Sequence, residues 1–223
     1  MKNVTLIIPA KNESEALPIV LNKLRKFNFK IVVVLNKSDV KTIRAIEKFK
    51  IKILYQNNQG YGDALIKGIN NCTTELFCIF NADGSFKATE IIKMKKLLRS
   101  KKLDFVFGSR YQKNSGSQDD TIITLIGNYL FTKIGQLFFN LPITDILYTF
   151  VLGKTSSAKK LKLNQKNFSF CVELPIKAIK NKMFIKSSSA YEFKRIAGKK
   201  KVNEFSDGFK ILLYMIKMFF KND

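Results

Sequence analysis

Ile79-Phe80-Asn81-Ala82-Asp83-Gly84-Ser85-Phe86 carries an apolar run into a short turn with a single carboxylate. The run Leu76-Phe77-Cys78-Ile79-Phe80 shows no polar alternation, the pattern of a strand covered on both faces. Open α/β sheets place their ligands beyond the carboxyl ends of such strands. Asp83 therefore stands in a good place to hold a metal ion and a diphosphate. Taken alone, Asn-Ala-Asp-Gly is also the composition of an ordinary turn. Its weight comes from Ile7-Ile8-Pro9-Ala10-Lys11-Asn12-Glu13 and Gly60-Tyr61-Gly62-Asp63-Ala64-Leu65, which precede it in order.

Outward from that turn, strand and helix patterns alternate. Strands are expected at 4–9, 30–35, 51–56, 76–80 and 105–108, and helices at 15–27, 40–49, 62–71 and 88–100. Short links between alternating elements predict an α/β fold, a mainly parallel sheet flanked by helices. Asn12 and Glu15 have the spacing of a capping pair opening the first helix. Residues 111–120 read as a mobile loop, either a cover for substrate or a plain connection. From Thr121 to Gly153 only Lys133 and Asp145 are charged. That stretch fits a buried helical hairpin or a pair of helices partly in a membrane interface. The tail 207–223 fits an amphipathic helix with Lys210, Tyr214, Lys217 and Lys221 as a narrow polar stripe.

The 223 residues, 46% of them apolar, are enough for one sizeable core. Forty basic against 17 acidic residues give a net charge of +23 and favour an anionic partner: nucleic acid, an anionic membrane surface or a phosphorylated substrate. The lysines are spread along the whole chain rather than gathered in one block with aromatics, which argues against a nucleic-acid binder. Three cysteines form no paired framework and histidine is absent, so disulfide scaffolds, the usual zinc sites and histidine catalysis lose support. Met1-Lys2-Asn3-Val4-Thr5 enters a strand at once, with no signal-peptide pattern, and no uninterrupted apolar run reaches the ~18 residues of a membrane span. A cytoplasmic location, peripheral on the inner face of the membrane if the tail meets lipid, is the expectation.

The ordered motifs resemble glycosyltransferase family 2, in the branch similar to dolichyl- and polyprenyl-phosphate sugar synthases. The resemblance rests on Pro9-Ala10-Lys11-Asn12-Glu13, Gly60-Tyr61-Gly62-Asp63-Ala64, Gly108-Ser109-Arg110-Tyr111, Thr144-Asp145, Glu173-Leu174 and Arg195-Ile196-Ala197-Gly198-Lys199-Lys200-Lys201. It implies a GT-A fold over residues 1–206, a nucleotide-sugar donor and a polyprenyl-phosphate or cell-envelope glycan acceptor. A membrane-associated binding protein that keeps the fold without catalysis is the alternative.

The resemblance also implies residue roles. Pro9, Ala10, Asn12 and Glu13 would line the base and ribose pocket, with Asn81 and Ala82 beside them. Loss of a diphosphate leaving group requires neutralisation of growing negative charge. Mg²⁺ or Mn²⁺ with oxygen ligands supplies this, with Asp83 as its ligand. Arg110, Arg195 and Lys201 would hold phosphates, Arg110 with a catalytic part. Asp145 is either a hydrogen-bonded helix cap or a candidate base near the acceptor. Glu173 is either a buried structural carboxylate or a contact near metal and acceptor. Two departures stand out. The acidic pair that family members carry after the second strand is replaced by Asn36-Lys37-Ser38-Asp39, so Asn36 would meet the nucleoside. The Asp-x-Asp signature becomes Asn81-Ala82-Asp83, which brings one negative charge fewer to a metal.

Overall fold

The computed structural model describes residues 1–221. Its elements follow the expected alternation: β1 (Val4–Pro9), α1 (Ala16–Leu24), β2 (Lys30–Leu35), α2 (Val40–Ile46), β3 (Lys52–Tyr55), α3 (Tyr61–Asn70), β4 (Leu76–Ile79), α4 (Ala88–Ser100) and β5 (Phe105–Ser109). A short strand β6 (Gly116–Ser117), helix α5 (Ile122–Phe139), β7 (Val151–Lys154), α6 (Thr155–Lys160) and α7 (Phe170–Lys180) come next, then β8 (Ile185–Ser189), β9 (Tyr191–Glu192) and α8 (Glu204–Phe220). The main sheet has the order β3-β2-β1-β4-β7-β5-β8. All its pairings are parallel except those of β7, which runs against both β4 and β5.

The strands β1, β2, β4 and β5 are largely apolar on both faces because helices cover both. One side packs α1, α2 and α4 through Leu17, Leu21, Ile46, Ile91, Met94 and Leu98. The other packs α3, α7 and α8 through Leu65, Ile69, Val172, Ile176, Ile211 and Met215. Full burial of one such side chain contributes about 1.5–3 kcal/mol. Gly153 lets β7 enter the sheet, since a Cβ there would stand 2.3 Å from the Phe105 ring and 2.9 Å from that of Phe77.

Three expectations are corrected. The stretch 121–153 is not a helical hairpin. Asn140, at φ 53°, ends α5, and 140–150 then runs irregularly into β7. Its apolar residues Leu141, Ile143, Ile146 and Phe150 serve the core rather than a second helix. Asn12 does not cap α1: it has φ 54°, its N–H donates to Asp39 Oδ2 at 2.7 Å, and α1 has no side-chain cap. The 111–120 segment is not a free loop, because β6 pairs in parallel with β9.

The last helix begins at Glu204, three residues before its expected start, and Asn222 and Asp223 lie outside the described residues. Tyr214 is buried with Ile211, Met215 and Met218, so it interrupts the expected polar stripe. Phe205, Phe209, Leu213, Ile216 and Phe220 form a second, exposed apolar face on the side away from that packing. Helix α5 presents Ile122, Ile123, Ile126, Tyr129, Leu130, Leu137 and Phe138 to solvent as well. By length and composition alone α5 could cross a membrane, with 28% of its span buried in the protein.

Candidate active site

The strand order reverses between β1 and β4, and a cavity of about 730 Å³ opens beyond their carboxyl ends. Pro9, Ala10 and Glu13 from the β1 turn and Asn81, Ala82 and Asp83 from the β4 turn line its polar end. The Asp83 turn is held from within. Asp83 Oδ1 accepts from the Ser85 N–H at 3.0 Å and its hydroxyl at 2.7 Å, while the Asn81 amide donates to Ser85 Oγ at 3.2 Å. Gly84 takes φ +86°, and any Cβ there would strike the Ile196 side chain.

That contact belongs to a basic strap, residues 193–201, fastened to the same turn by backbone. Phe193 N–H donates to Ser85 C=O at 2.9 Å and Ile196 N–H to Asp83 C=O at 2.8 Å. Arg195 Nη2 thereby stands 3.5 Å from Asp83 Oδ2 and 3.3 Å from Asp119 Oδ2. Lys201 Nζ lies 3.6 Å from Glu13 Oε1, and Lys200 donates to the Asp119 carbonyl. Glu13 Oε2 and Arg195 Nε are buried without a partner. Burial pushes the Glu13 carboxyl above its usual range against the pull of Lys201, with the Asp83 charge adding to the rise.

Arg110 organises the middle of the cavity. Its Nε and Nη2 form a two-pronged pair with Asp145 at 2.8 and 3.1 Å, its own N–H donates to the same carboxylate at 3.0 Å, and Nη1 reaches Asp120 and Glu192 at 3.0 and 3.1 Å. The guanidinium sits 4.7 Å from the Tyr148 ring centroid. Asp145 is fully buried and also accepts from Asn128 at 2.6 Å. It does not line the cavity and has no free lone pair facing an acceptor, so its place is behind Arg110 rather than as a base. Glu173 is likewise enclosed, accepting from the Asn164 and Gln165 N–H groups at 2.9 Å each and pairing with Lys177 at 2.7 Å.

Of the expected nucleotide-site residues, Pro9, Ala10, Glu13, Asn81, Ala82, Asp83, Arg110, Arg195 and Lys201 share the cavity. Asn12 and Asn36 do not line it: Asn36 Oδ1 accepts from the Ser38 N–H and hydroxyl in a local turn. Sequence reasoning missed Asp119, Asp120, Tyr148 and Glu192, which belong to no motif. The paired acids 119–120 in a chain so short of carboxylates were the available signal.

Away from Asp83 the cavity turns apolar, bounded by Ile123, Ile126, Phe131, Val202, Phe205 and Ile211, and so lies between α5 and α8. Among the described residues no three acidic, histidine or cysteine side chains gather as a metal site. Asp83 offers a carboxylate oxygen, Oδ2, that is not bound into its own turn. This suits an ion that takes one protein carboxylate and draws its other ligands from substrate phosphates and water, as Mg²⁺ does.

The family model for glycosyl transferase family 2 matches residues 5–162, well over half of the chain. The chain belongs to glycosyl transferase family 2. An uncharacterized glycosyltransferase of Mycobacterium tuberculosis is 32% identical over 107 residues, covering 48% of each protein, so the match spans about half the length of that relative. The UDP-N-acetylglucosamine–dolichyl-phosphate N-acetylglucosaminyltransferase of Methanococcus voltae is 26% identical over 82% of this chain and 83% of its own. The family's GT-A fold is shared with glucosyl-3-phosphoglycerate synthase of M. tuberculosis solved with UDP, at TM-score 0.76 and 10% identity over all of this chain and 82% of that one. Another structure of that enzyme, with Mn²⁺, UDP-glucose and phosphoglyceric acid, gives TM-score 0.74 at 11% identity over all of this chain and 81% of that one.

Proposed function

We propose that this family 2 member is an inverting glycosyltransferase that moves a hexose from a UDP- or GDP-sugar to a polyprenyl phosphate or a cell-envelope glycan acceptor. One observation carries the reading: a single cavity runs from the Asp83 turn at the sheet's switch point to an apolar groove between α5 and α8. A charged nucleotide diphosphate fits the first end and a hydrocarbon chain the second. The activity of the M. voltae relative joins the same two chemistries.

In this reading Pro9, Ala10 and Glu13 border the nucleoside, with Asn81 and Ala82 beside it. Arg195 and Lys201 face the diphosphate, where their charges meet the negative charge that grows as the glycosidic bond breaks. Mg²⁺ or Mn²⁺, held by Asp83 and the diphosphate, supplies further neutralisation when bound. Arg110, fixed by Asp145, presents its remaining edge to the acceptor anion, for which Asp120 and Glu192 yield Nη1. An acceptor that is already an anionic phosphate needs no protein base, which agrees with the enclosure of Asp145. The exposed apolar faces of α5 and α8 beside the groove would rest in the membrane interface from which such an acceptor is drawn.

Calorimetric titration with UDP, GDP and their sugar conjugates, with Mn²⁺ and after chelation, tests the donor half. Metal-dependent micromolar binding, about 8 kcal/mol, is expected for one base, and Asp83→Asn should abolish the metal dependence. No binding to any nucleotide would instead support a catalytically silent, membrane-associated relative.

A further inference from the structure

The cation that this structure places at Asp83 is a side chain of the protein. Arg195 Nη2 lies 3.5 Å from Asp83 Oδ2, the one oxygen of that carboxylate not bound by Ser85. The contact is built rather than incidental: the strap's backbone is bonded to the carbonyls of Asp83 and Ser85, and Ile196 packs on Gly84. Arg195 is nonetheless incompletely satisfied. Its Nε is buried without an acceptor, and Nη2 is stretched between two carboxylates at 3.3 and 3.5 Å, beyond good hydrogen-bond length. A guanidinium in this state lacks an acceptor with several closely spaced oxygens, and a diphosphate is such an acceptor.

We infer that Arg195 is an exchangeable counter-ion: it holds Asp83 until a metal–nucleotide complex arrives, then passes the carboxylate to the metal and takes the diphosphate itself. This rests on the reading of the cavity as a nucleotide-sugar site and adds the order of events within it. A free divalent ion at Asp83 meets repulsion from Arg195, which Asp83 shares with Asp119, and finds no cluster of three or more ligating side chains among the described residues. When the ion arrives with the diphosphate, the phosphates bring the missing oxygens and give Arg195 its acceptor. Metal and donor therefore bind as a unit, and Arg195 sets the penalty against metal alone.

The test is Mn²⁺ titration followed by electron paramagnetic resonance, without nucleotide, on the wild type, Arg195→Gln, Arg195→Lys and the double variant Asp83→Asn/Arg195→Gln. Removal of the positive charge should tighten nucleotide-free Mn²⁺ binding by about tenfold or more. Arg195→Lys should stay near the wild type, and the double variant should lose the gain. In a second arm, Arg195→Gln should weaken Mn²⁺-dependent binding of UDP or GDP while leaving that of the free nucleoside unchanged. Equal Mn²⁺ affinity in wild type and Arg195→Gln would overturn the exchange, as would a gain that persists in the double variant. Absence of nucleotide binding in every variant would overturn the donor reading, and the Mn²⁺ arm would still decide whether Arg195 guards Asp83.

Discussion

Asp145 and Arg110 show how much of a site is support. Arg110 is flanked by three carboxylates, and the fully buried one takes its N–H, its Nε and its Nη2 together. Removing one partner of a buried pair leaves the other charge uncompensated. Asp145→Ala should therefore lower unfolding stability by about 3–5 kcal/mol in urea titration. A loss below about 1 kcal/mol would mean that Asp120 and Glu192 compensate Arg110 without it. The residue was visible in the sequence as Thr144-Asp145, but its task was not. A base, a cap and a buried anchor share one residue type, and what separates them is the set of donors folded against it from 128 and 110. The position of Asp83, by contrast, was legible, because local pattern reveals where a strand ends and the cavity lies beyond it.

At the scale of elements, α8 carries two apolar faces where one would suffice for packing. Its buried face meets the core through Ile211, Tyr214, Met215 and Met218, while Phe205, Phe209 and Phe220 remain 78, 62 and 76% exposed on the other side. Replacing these three phenylalanines with serine should abolish co-sedimentation with lipid vesicles and leave the thermal unfolding midpoint almost unchanged, since little core contact is lost. Retained sedimentation would place any membrane contact elsewhere. The excess of apolar residues could be read from the sequence. Which of them face the core could not, because periodicity gives relative angles and only the neighbouring α5 and α7 decide which side is covered. The supposed hairpin after Thr121 failed for a related reason: an irregular segment and strand that feed the core carry the same apolar density as a helix.

For the molecule as a whole, the net charge of +23 gives any approach to a bilayer a long-range component. Vesicle binding should require anionic lipid and weaken steeply as salt rises, because the Debye length falls from about 10 Å at 0.1 M to about 3 Å at 1 M. Binding that ignores both lipid charge and salt would assign adhesion to the apolar faces alone. The parallel core of the sheet was readable as alternating strands and helices with short links. The reversed strand was not, because four residues, Val151–Lys154, carry no local mark of direction. That strand also has a consequence in time. The outer edge of β4 pairs with β7 and with nothing made earlier, although some seventy residues separate the two in the chain. A ribosome adding ~5–20 residues per second leaves that edge open for several seconds. The first four strands can assemble during that interval, whereas β5, although already made, cannot join them until β7 emerges to bridge the gap.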